Sequence, residues 1–585
     1  MVVRVPRTDP IYNCHAYLTK IPIDAIKPFI ETLSEPGNVI VDFFAGSGMT
    51  GIAAASLGRV ARLSDISVLG QHIGRGYLSN VSAARVRREA DVVVSRAREA
   101  IGDLYLTRRA SDGESVELIR TIWSFVYVCP ACDGKLVYFE HLDAAGHPPA
   151  ACPQCEAEFT RRAWRRNEDV PVRVVVNGVH GKQVEQAVEP QDIERIARAT
   201  MDPRQARVPS LRIDEQREMF GRSGLGRAGL LETKQFFSSR NALALLELWD
   251  AINGLSDSAV RQKLAFAFTA CLTRASRRYQ WGPKRPLNAQ NQTYYIAPVY
   301  FEWNVFELFE RKVEAALRSD EAILAGAPLF NHDFSERVTY TTASADKLSH
   351  LDDSSVDYVF TDPPFGSNIF YADMHLFHEA WLGRVTNDAS EAVMHTSGPR
   401  KRDSAGHYER ILRGAFAEAF RVLKPGRFMT VVFGNSSGAV WALVQRALRE
   451  TGFSEPCHVA ILDKGQRSVK GLNSGSEGVV TVDLVLTMQK PEAQQMQPRP
   501  MPGSAPRLAE LVAAAGTILE PEHARNPSYV YVAALREAIR LGHRVDEFHY
   551  SDVLVGLREM GFSINAKNGL LAKSFKPEAV ARLDS

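Results

Sequence analysis

Val39-Ile40-Val41-Asp42-Phe43-Phe44-Ala45-Gly46-Ser47-Gly48-Met49-Thr50 is a short β-branched strand that ends in an acid, turns on two glycines and enters a helix. Glycines at 46 and 48 let the backbone turn sharply and approach a ligand without Cβ clashes. The helix that follows offers unpaired N–H groups to a carboxylate or phosphate. The spacing is not the GxGxxG of dinucleotide binders, which argues against a nicotinamide site. Working outward, Ile23 to Leu33 has helical apolar spacing, Gly51 to Leu57 is a small-residue helix, and Val60 to Leu63 is a second strand. That strand runs into Ser64-Asp65-Ile66, an acid about twenty residues beyond the first strand, where a ribose diol would lie. Another helix starts at Val68. Strand–helix alternation of this kind predicts a doubly wound α/β sheet with helices on both faces.

The chain has 585 residues, 45% apolar and 24% charged, with a formal net charge of +2. That length implies two to four domains, and the composition is that of a globular protein. The charge balance says little about partners, because a basic face can sit inside a balanced total. No run of about 18 apolar residues is present, so no membrane-spanning segment or signal peptide is expected. Four of the seven cysteines fall in two tight pairs, which fits metal binding in a reducing cytoplasm better than disulfides.

From about residue 100 to 235 the chain reads as basic and irregular, and helical spacing returns at Asn241 to Leu255 and Ala259 to Thr273. A second α/β stretch follows, with strands at Val356 to Phe360 and Phe428 to Phe433, helices at Tyr408 to Leu423 and Trp441 to Thr451, and a closing strand at Val479 to Met488. The expected division is 1–100 and 236–490 as two parts of one core, 101–235 as an insertion, 491–506 as a Pro-rich linker, and 507–585 as a small helical module with a short strand near Leu570 to Lys573.

The strand at 356–360 ends in Thr361-Asp362-Pro363-Pro364-Phe365-Gly366. Two prolines fix φ, remove donors and stiffen the chain, so its carbonyls can be aimed outward. Asp362 and a proline carbonyl are placed to accept both hydrogens of an –NH₂ group, and Phe365 offers a flat face to an extruded base.

Together these motifs resemble the amino-methyltransferases that act on adenine or cytosine in DNA, over roughly residues 10–80 and 240–490. The resemblance implies a cofactor, S-adenosylmethionine. It implies that Tyr17, Thr19 and Lys20 close over the methionine end, and that Asp42, Phe44, Gly46, Ser47, Gly48 and Thr50 form the glycine motif. Asp65 takes the place of the ribose acid, Asp346 that of the acid reaching the adenine ring, and Asp362, Pro363, Pro364 and Phe365 that of the catalytic tetrapeptide. The insertion, its cysteines and Asn368-Ile369-Phe370-Tyr371-Ala372-Asp373 are similar to the subgroup of zinc-ribbon adenine-specific DNA methylases. Two positions depart from the family pattern: Phe43 stands where proline is usual, and Phe365 where tyrosine is commoner. An aspartate first in the tetrapeptide favours adenine over cytosine-N4.

Cys129-Pro130-Ala131-Cys132 and Cys152-Pro153-Gln154-Cys155 have the spacing of a structural zinc ribbon, a closed site with no open position for catalysis. His141 and His147, between the pairs, read as loop residues, and Cys14, Cys271 and Cys457 as small buried side chains. Arg161, Arg162, Arg165 and Arg166 surround Trp164, and Arg274, Arg277, Arg278, Tyr279, Trp281, Lys284 and Arg285 form a second cluster. Interleaved cations and aromatics suit phosphate contact with base stacking, so both are expected to meet DNA, with a weaker set at Lys464, Arg467 and Lys470. Two rival readings stay open: an RNA base methyltransferase, and a non-catalytic nucleic-acid scaffold. No nuclease motif is visible, so a restriction or defence partner would be a separate protein.

Overall fold

The computed structural model describes residues 2–4, 9–79, 81–283, 294–326, 334–454, 456–463, 480, 482–492, 512, 515, 519, 523–541, 543–546, 548–565 and 570–571. Two sheets organise them. The larger has eight strands, in chain order β1 (Val2–Arg4), β2 (Val39–Asp42), β3 (Val60–Asp65), β10 (Val338–Thr342), β11 (Val356–Thr361), β12 (Leu423–Phe433), β13 (His458–Asp463) and β14 (Asp483–Gln489). Their spatial order is β1-β13-β14-β12-β11-β2-β3-β10. Neighbours are parallel except where β14 runs antiparallel between β12 and β13. This is the expected doubly wound sheet. β11 is buried along its whole length, as a central parallel strand covered on both faces must be. Tyr358 and Phe360 face one core with Ile40, Phe29 and Ile30, while Val359 faces the other with Val41, Leu412 and Phe416.

The predicted helices and strands of this half lie within five residues of their observed ends, the start of β12 being furthest off, and the start predicted at Val479 lies outside the described residues. The helix Ile23–Leu33 buries its apolar stripe of Ile23, Ile26, Phe29 and Ile30 and tolerates Pro28 in its middle. The helix Met49–Ser56 is buried on almost every side, which explains its small residues.

The stretch from 100 to 235 is not irregular, which corrects the sequence expectation. It carries β4 (Leu106–Arg108), β5 (Ser115–Val128), β6 (Lys135–Val137), β7 (Arg165–Asn177) and β8 (Gln183–Ala187). With β9 (Val299–Trp303), from beyond residue 235, they form an antiparallel sheet of order β4-β5-β7-β8, β6 and β9 also pairing with β5. Arginines on the solvent face hid the alternation. β7 is exposed or half-buried at most positions up to Arg173, then buried at Val174 to Val176. Helices Ser239–Asn253, Ser258–Ala275 and Val305–Ala325 contribute to one apolar core with this sheet.

The helices Pro527–Arg540 and Tyr550–Glu559 share the apolar core of the large sheet. Tyr529 donates to Asp463 at 2.6 Å. Near the predicted terminal strand a single bridge joins Ile564 and Leu571. Residues 572–573, the linker from 493 to 506, and Lys464, Arg467 and Lys470 lie outside the described residues. Among the described residues no helix is long and apolar enough to cross a membrane.

Candidate functional site

β2 and β11 are parallel neighbours, with Ile40 opposite Tyr358 and Val41 opposite Val359. From β2 the sheet order runs outward to β3, and from β11 it runs the other way to β12. This is a topological switch point, where doubly wound sheets bind ligands outside the carboxyl ends of their strands. Those ends carry Asp42 and Asp362.

Asp42 is buried and accepts three hydrogen bonds: from Thr361 Oγ1 at 2.9 Å, Thr50 Oγ1 at 2.7 Å and the Phe44 amide at 3.1 Å. It therefore ties the glycine turn and the next helix to the end of β11. Burial pushes its carboxyl up to about 7 even though the three donors pull the other way. Asp65 ends β3 and accepts from the Gly46 and Ser67 amides, each at 2.8 Å, and burial raises it as well. Gly46 has φ +49, and a Cβ there would sit 2.9 Å from the Tyr17 ring. Gly48, at φ +82, would press a Cβ to 3.2 Å from the Gly74 backbone. Neither position tolerates a side chain.

The N-terminal segment folds over this turn. Thr19 Oγ1 lies 2.9 Å from the Tyr371 hydroxyl, and the Tyr17 ring packs against Tyr371 and His375. Lys20 is buried, donates to the Tyr12 and His15 carbonyls, and is pushed down to about 7 by burial.

These groups line one cleft of roughly 870 Å³, open to solvent. Of the predicted residues it brings together Tyr17, Thr19, Lys20, Asp42, Phe44, Gly46, Ser47, Thr50, Asp65, Asp362 and Pro364. Gly48, Asp346, Pro363 and Phe365 are not on its wall. Asp346 accepts from Ser344 Oγ at 2.5 Å, and its neighbour Ala345 takes the wall position instead. Phe365 turns its half-buried ring edge-on to Phe433. The tetrapeptide is held from behind, by Tyr408 donating to the Pro364 carbonyl at 2.7 Å and Asn435 to the Phe365 carbonyl at 2.9 Å. The cleft also holds Tyr371, His375, Thr386 and Glu391, which sequence reading did not single out as site residues. Tyr371 begins the helix Tyr371–Leu382, and Glu391 reaches back to accept the Ala372 amide at 3.1 Å. Burial, with Asp373 nearby, pushes Glu391 up to about 8. Only Tyr371 had a signal, as part of the quoted segment 368–373; Glu391 is one acid in a loop.

The four paired cysteines converge, their sulfurs all within 4.8 Å of one another. Cys129 Sγ to Cys155 Sγ is 3.6 Å and Cys132 Sγ to Cys152 Sγ is 3.8 Å. A tetrahedral Zn²⁺ with bonds of about 2.3 Å needs sulfurs about 3.8 Å apart, so the set fits that ion. The two loops repeat one turn. In each, the amide two residues on faces the first sulfur, and a residue at positive φ follows the second cysteine (Asp133 at +56, Glu156 at +61). His147 is exposed on Asp143. Cys14 and Cys271 are buried, whereas Cys457 is exposed, contrary to the expectation for it.

The cation clusters divide. Arg161, Arg162 and Arg165 are exposed. Arg278 is only 3% exposed, its guanidinium 4.7 Å over the Phe377 ring, and Arg277 pairs with Asp169 at 3.0 Å. Their charge serves the core rather than the surface, which corrects the expectation that both meet DNA. Trp281 packs edge-on to Phe139, and Lys284 and Arg285 lie outside the described residues.

Residues 5–79 match the model of a DNA methylase family acting at N6 or N4. No curated protein matches the chain. Among solved structures the chain is similar to TTHA0409 of Thermus thermophilus, named a DNA modification methylase. Its complex with S-adenosyl-L-methionine is 16% identical over 37% of this chain and 93% of that one, at TM-score 0.17. TrmN of Thermus thermophilus is 19% identical over 31% of this chain and 34% of its own, at TM-score 0.15. Likeness at this level adds nothing beyond the topology already described. The doubly wound fold, the cleft at its switch point and the family match support an S-adenosylmethionine-dependent methyltransferase.

Proposed function

We propose that this chain transfers a methyl group from S-adenosylmethionine to the exocyclic amine of adenine in DNA, acting on a base held out of the stack. The observation that carries the reading is the meeting of Asp362 and Pro364, from the tetrapeptide, with the glycine turn of β2 at one switch-point cleft. The cleft suits a cationic cofactor. Four carboxyl groups line it, Asp42, Asp65, Asp362 and Glu391, which a bound cation would help to ionise, against Lys20, which is committed to backbone carbonyls. Tyr17, Thr19, Phe44, Gly46, Ser47, Thr50 and Asp65 would hold S-adenosylmethionine, with Gly48 shaping the turn.

When bound, that cofactor supplies an electrophilic methyl on a positively charged sulfur. An amine conjugated to a purine ring is a weak nucleophile, so the residues act by positioning, worth up to ~7–11 kcal/mol in favourable intramolecular cases. Asp362 accepts one amine hydrogen and charge as nitrogen loses its planarity, and a carbonyl of the rigid tetrapeptide accepts the other from a base held out of the stack. Cys129, Cys132, Cys152 and Cys155, none of which lines the cleft, would hold a structural zinc.

The test is methyl transfer from labelled cofactor to genomic DNA, with nucleoside mass spectrometry and Asp362→Ala alongside. Label appears as N6-methyladenine and falls at least ~10²-fold in the variant. Label in N4-methylcytosine would move the acceptor base, and label only in RNA would move the substrate. No label on either would remove the enzymatic reading.

A further inference from the structure

A second, broad cleft, open to solvent, is lined by the antiparallel sheet and by neighbouring residues on both sides of position 235, and shares no lining residue with the first. Its floor is one face of the antiparallel sheet. Trp123, Phe125 and Tyr127 occupy alternate positions of β5, with Tyr300 of β9 beside them. The Trp123 and Tyr300 rings are nearly parallel at 6.3 Å, and the Arg166 guanidinium lies 3.7 Å over Phe125.

The charge of this cleft is opposite to that of the first. Its three acids are already paired: Glu302 with Arg240, Asp169 with Arg166 and Arg277, and Glu168 with Lys135. Arg161, Arg162, Arg165 and Arg227 also line it, are exposed, and face no acid at ion-pair distance among the described residues. Beside them Tyr295 is 42% exposed, its hydroxyl 3.4 Å from Arg161.

We propose that this cleft binds an unpaired stretch of DNA strand, its phosphates on Arg161, Arg162, Arg165 and Arg227 and a base on the exposed ring of Tyr295, the buried rings of β5 and β9 serving to support the cleft from beneath. The proposal rests on the reading of the chain as a DNA-modifying enzyme and adds a second, non-catalytic site to it. Surplus cations match a polyanion and not the cationic cofactor. The exposed Tyr295 ring offers a stacking face that a duplex, whose base faces are stacked on one another, cannot use. It gains only from a base that is already unpaired. A protein that must hold one base out of the stack also disturbs the strand around it, and such a groove would hold that strand open.

Fluorescence anisotropy with a labelled thymidine dodecamer, over a series of salt concentrations, tests this directly. Arg161→Glu/Arg162→Glu/Arg227→Glu weakens binding and lowers the slope of log K against log salt by about 2, three single-strand phosphate contacts at ~0.7 each. Tyr295→Ala leaves the slope alone and lowers affinity roughly 5- to 100-fold. Unchanged affinity and slope in both variants would overturn the proposal, as would a duplex dodecamer that binds more tightly than the single strand. Asp362→Ala separates the two readings, because it removes methyl transfer while leaving strand binding intact. A wild-type protein that binds the oligomer but methylates no DNA retires the acceptor assignment and keeps the cleft. One that methylates DNA equally well with and without the three arginines, and binds no oligomer, retires the cleft alone.

Discussion

The two clefts handle buried charge in opposite ways. In the inserted sheet every deep acid has a cation: Arg240 and Glu302 are each 1% exposed and bonded to one another, and Asp169 takes Arg166, Arg277 and the Tyr300 hydroxyl. Burial alone would neutralise such groups, but Arg240 holds Glu302 below its ordinary value and Glu302 holds Arg240 above its own. At the switch point Asp42, Asp65 and Glu391 are bonded to hydroxyls and amides, and burial raises all three. The first arrangement is finished without a ligand. The second leaves carboxyls that burial biases toward the neutral form and that a cationic ligand would help to ionise.

If that contrast is real, the inserted sheet can be damaged without disturbing cofactor binding. Metal removal is the largest such perturbation, since structural zinc contributes ~10–16 kcal/mol in isolated finger peptides. A strong chelator, or Cys152→Ser, is expected to expose residues 129–165 to hydrogen exchange and leave calorimetric binding of S-adenosylmethionine unchanged. Loss of cofactor binding on chelation would show that the two regions fold as one unit, and the comparison would fail.

The next effect is smaller and lies in the inserted core. Arg240→Ala strands Glu302 as an uncompensated buried charge, with Ser238, Thr121 and Trp123 around the pair. Removing one partner of a buried pair typically destabilises by about 3–5 kcal/mol, while replacing both with apolar residues is often close to neutral. Denaturant unfolding should therefore show a large loss for Arg240→Ala and most of it regained in Arg240→Met/Glu302→Leu. Equal losses in single and double variants would mean that packing, not charge pairing, dominates there.

The same division decides what the sequence made legible. The cofactor cleft is assembled from strand ends and turns whose signals are local: Val39 to Thr50 shows its strand, its glycines and its helix within twelve letters, and Asp362 announces itself by two prolines. Its remote members, Glu391 and Thr386, arrive through a loop that returns to the helix Tyr371–Leu382, and nothing beside them in the chain marks that contact. The inserted sheet depends on pairing between β5, β7 and β9, with Trp123 opposite both Pro171 and Tyr300, residues 48 and 177 positions away. Such long-range pairing leaves little trace in a local pattern, least of all where arginine stems cover a strand. The same blindness placed Arg278 among the DNA contacts. A cationic residue in a basic run looks exposed until Tyr294 and Phe377 are seen to enclose it.

The sharpest test of the switch-point cleft is the mildest, a pH dependence at Asp42. Its folded-state value is about 7, against ~3.9 in an unfolded chain. Between these values the native protein keeps a proton that the unfolded chain has released, so the group makes stability fall as pH rises through that window. A tenfold change in proton affinity corresponds to ~1.4 kcal/mol, and the effect is spread over the whole interval. Asp42→Asn cannot ionise and lacks this slope. Its unfolding free energy, measured relative to wild type, should therefore improve steadily from pH 4 to pH 7 and then level off. Saturating S-adenosylmethionine brings positive charge to the same cleft and favours the carboxylate, so it should flatten the wild-type slope and leave the variant's as it was. A wild-type slope that matches the variant's, with or without cofactor, would mean that the Thr50, Thr361 and Phe44 donors already satisfy an ionised Asp42. The two clefts would then differ in the partners they use for buried charge and not in readiness for a cation.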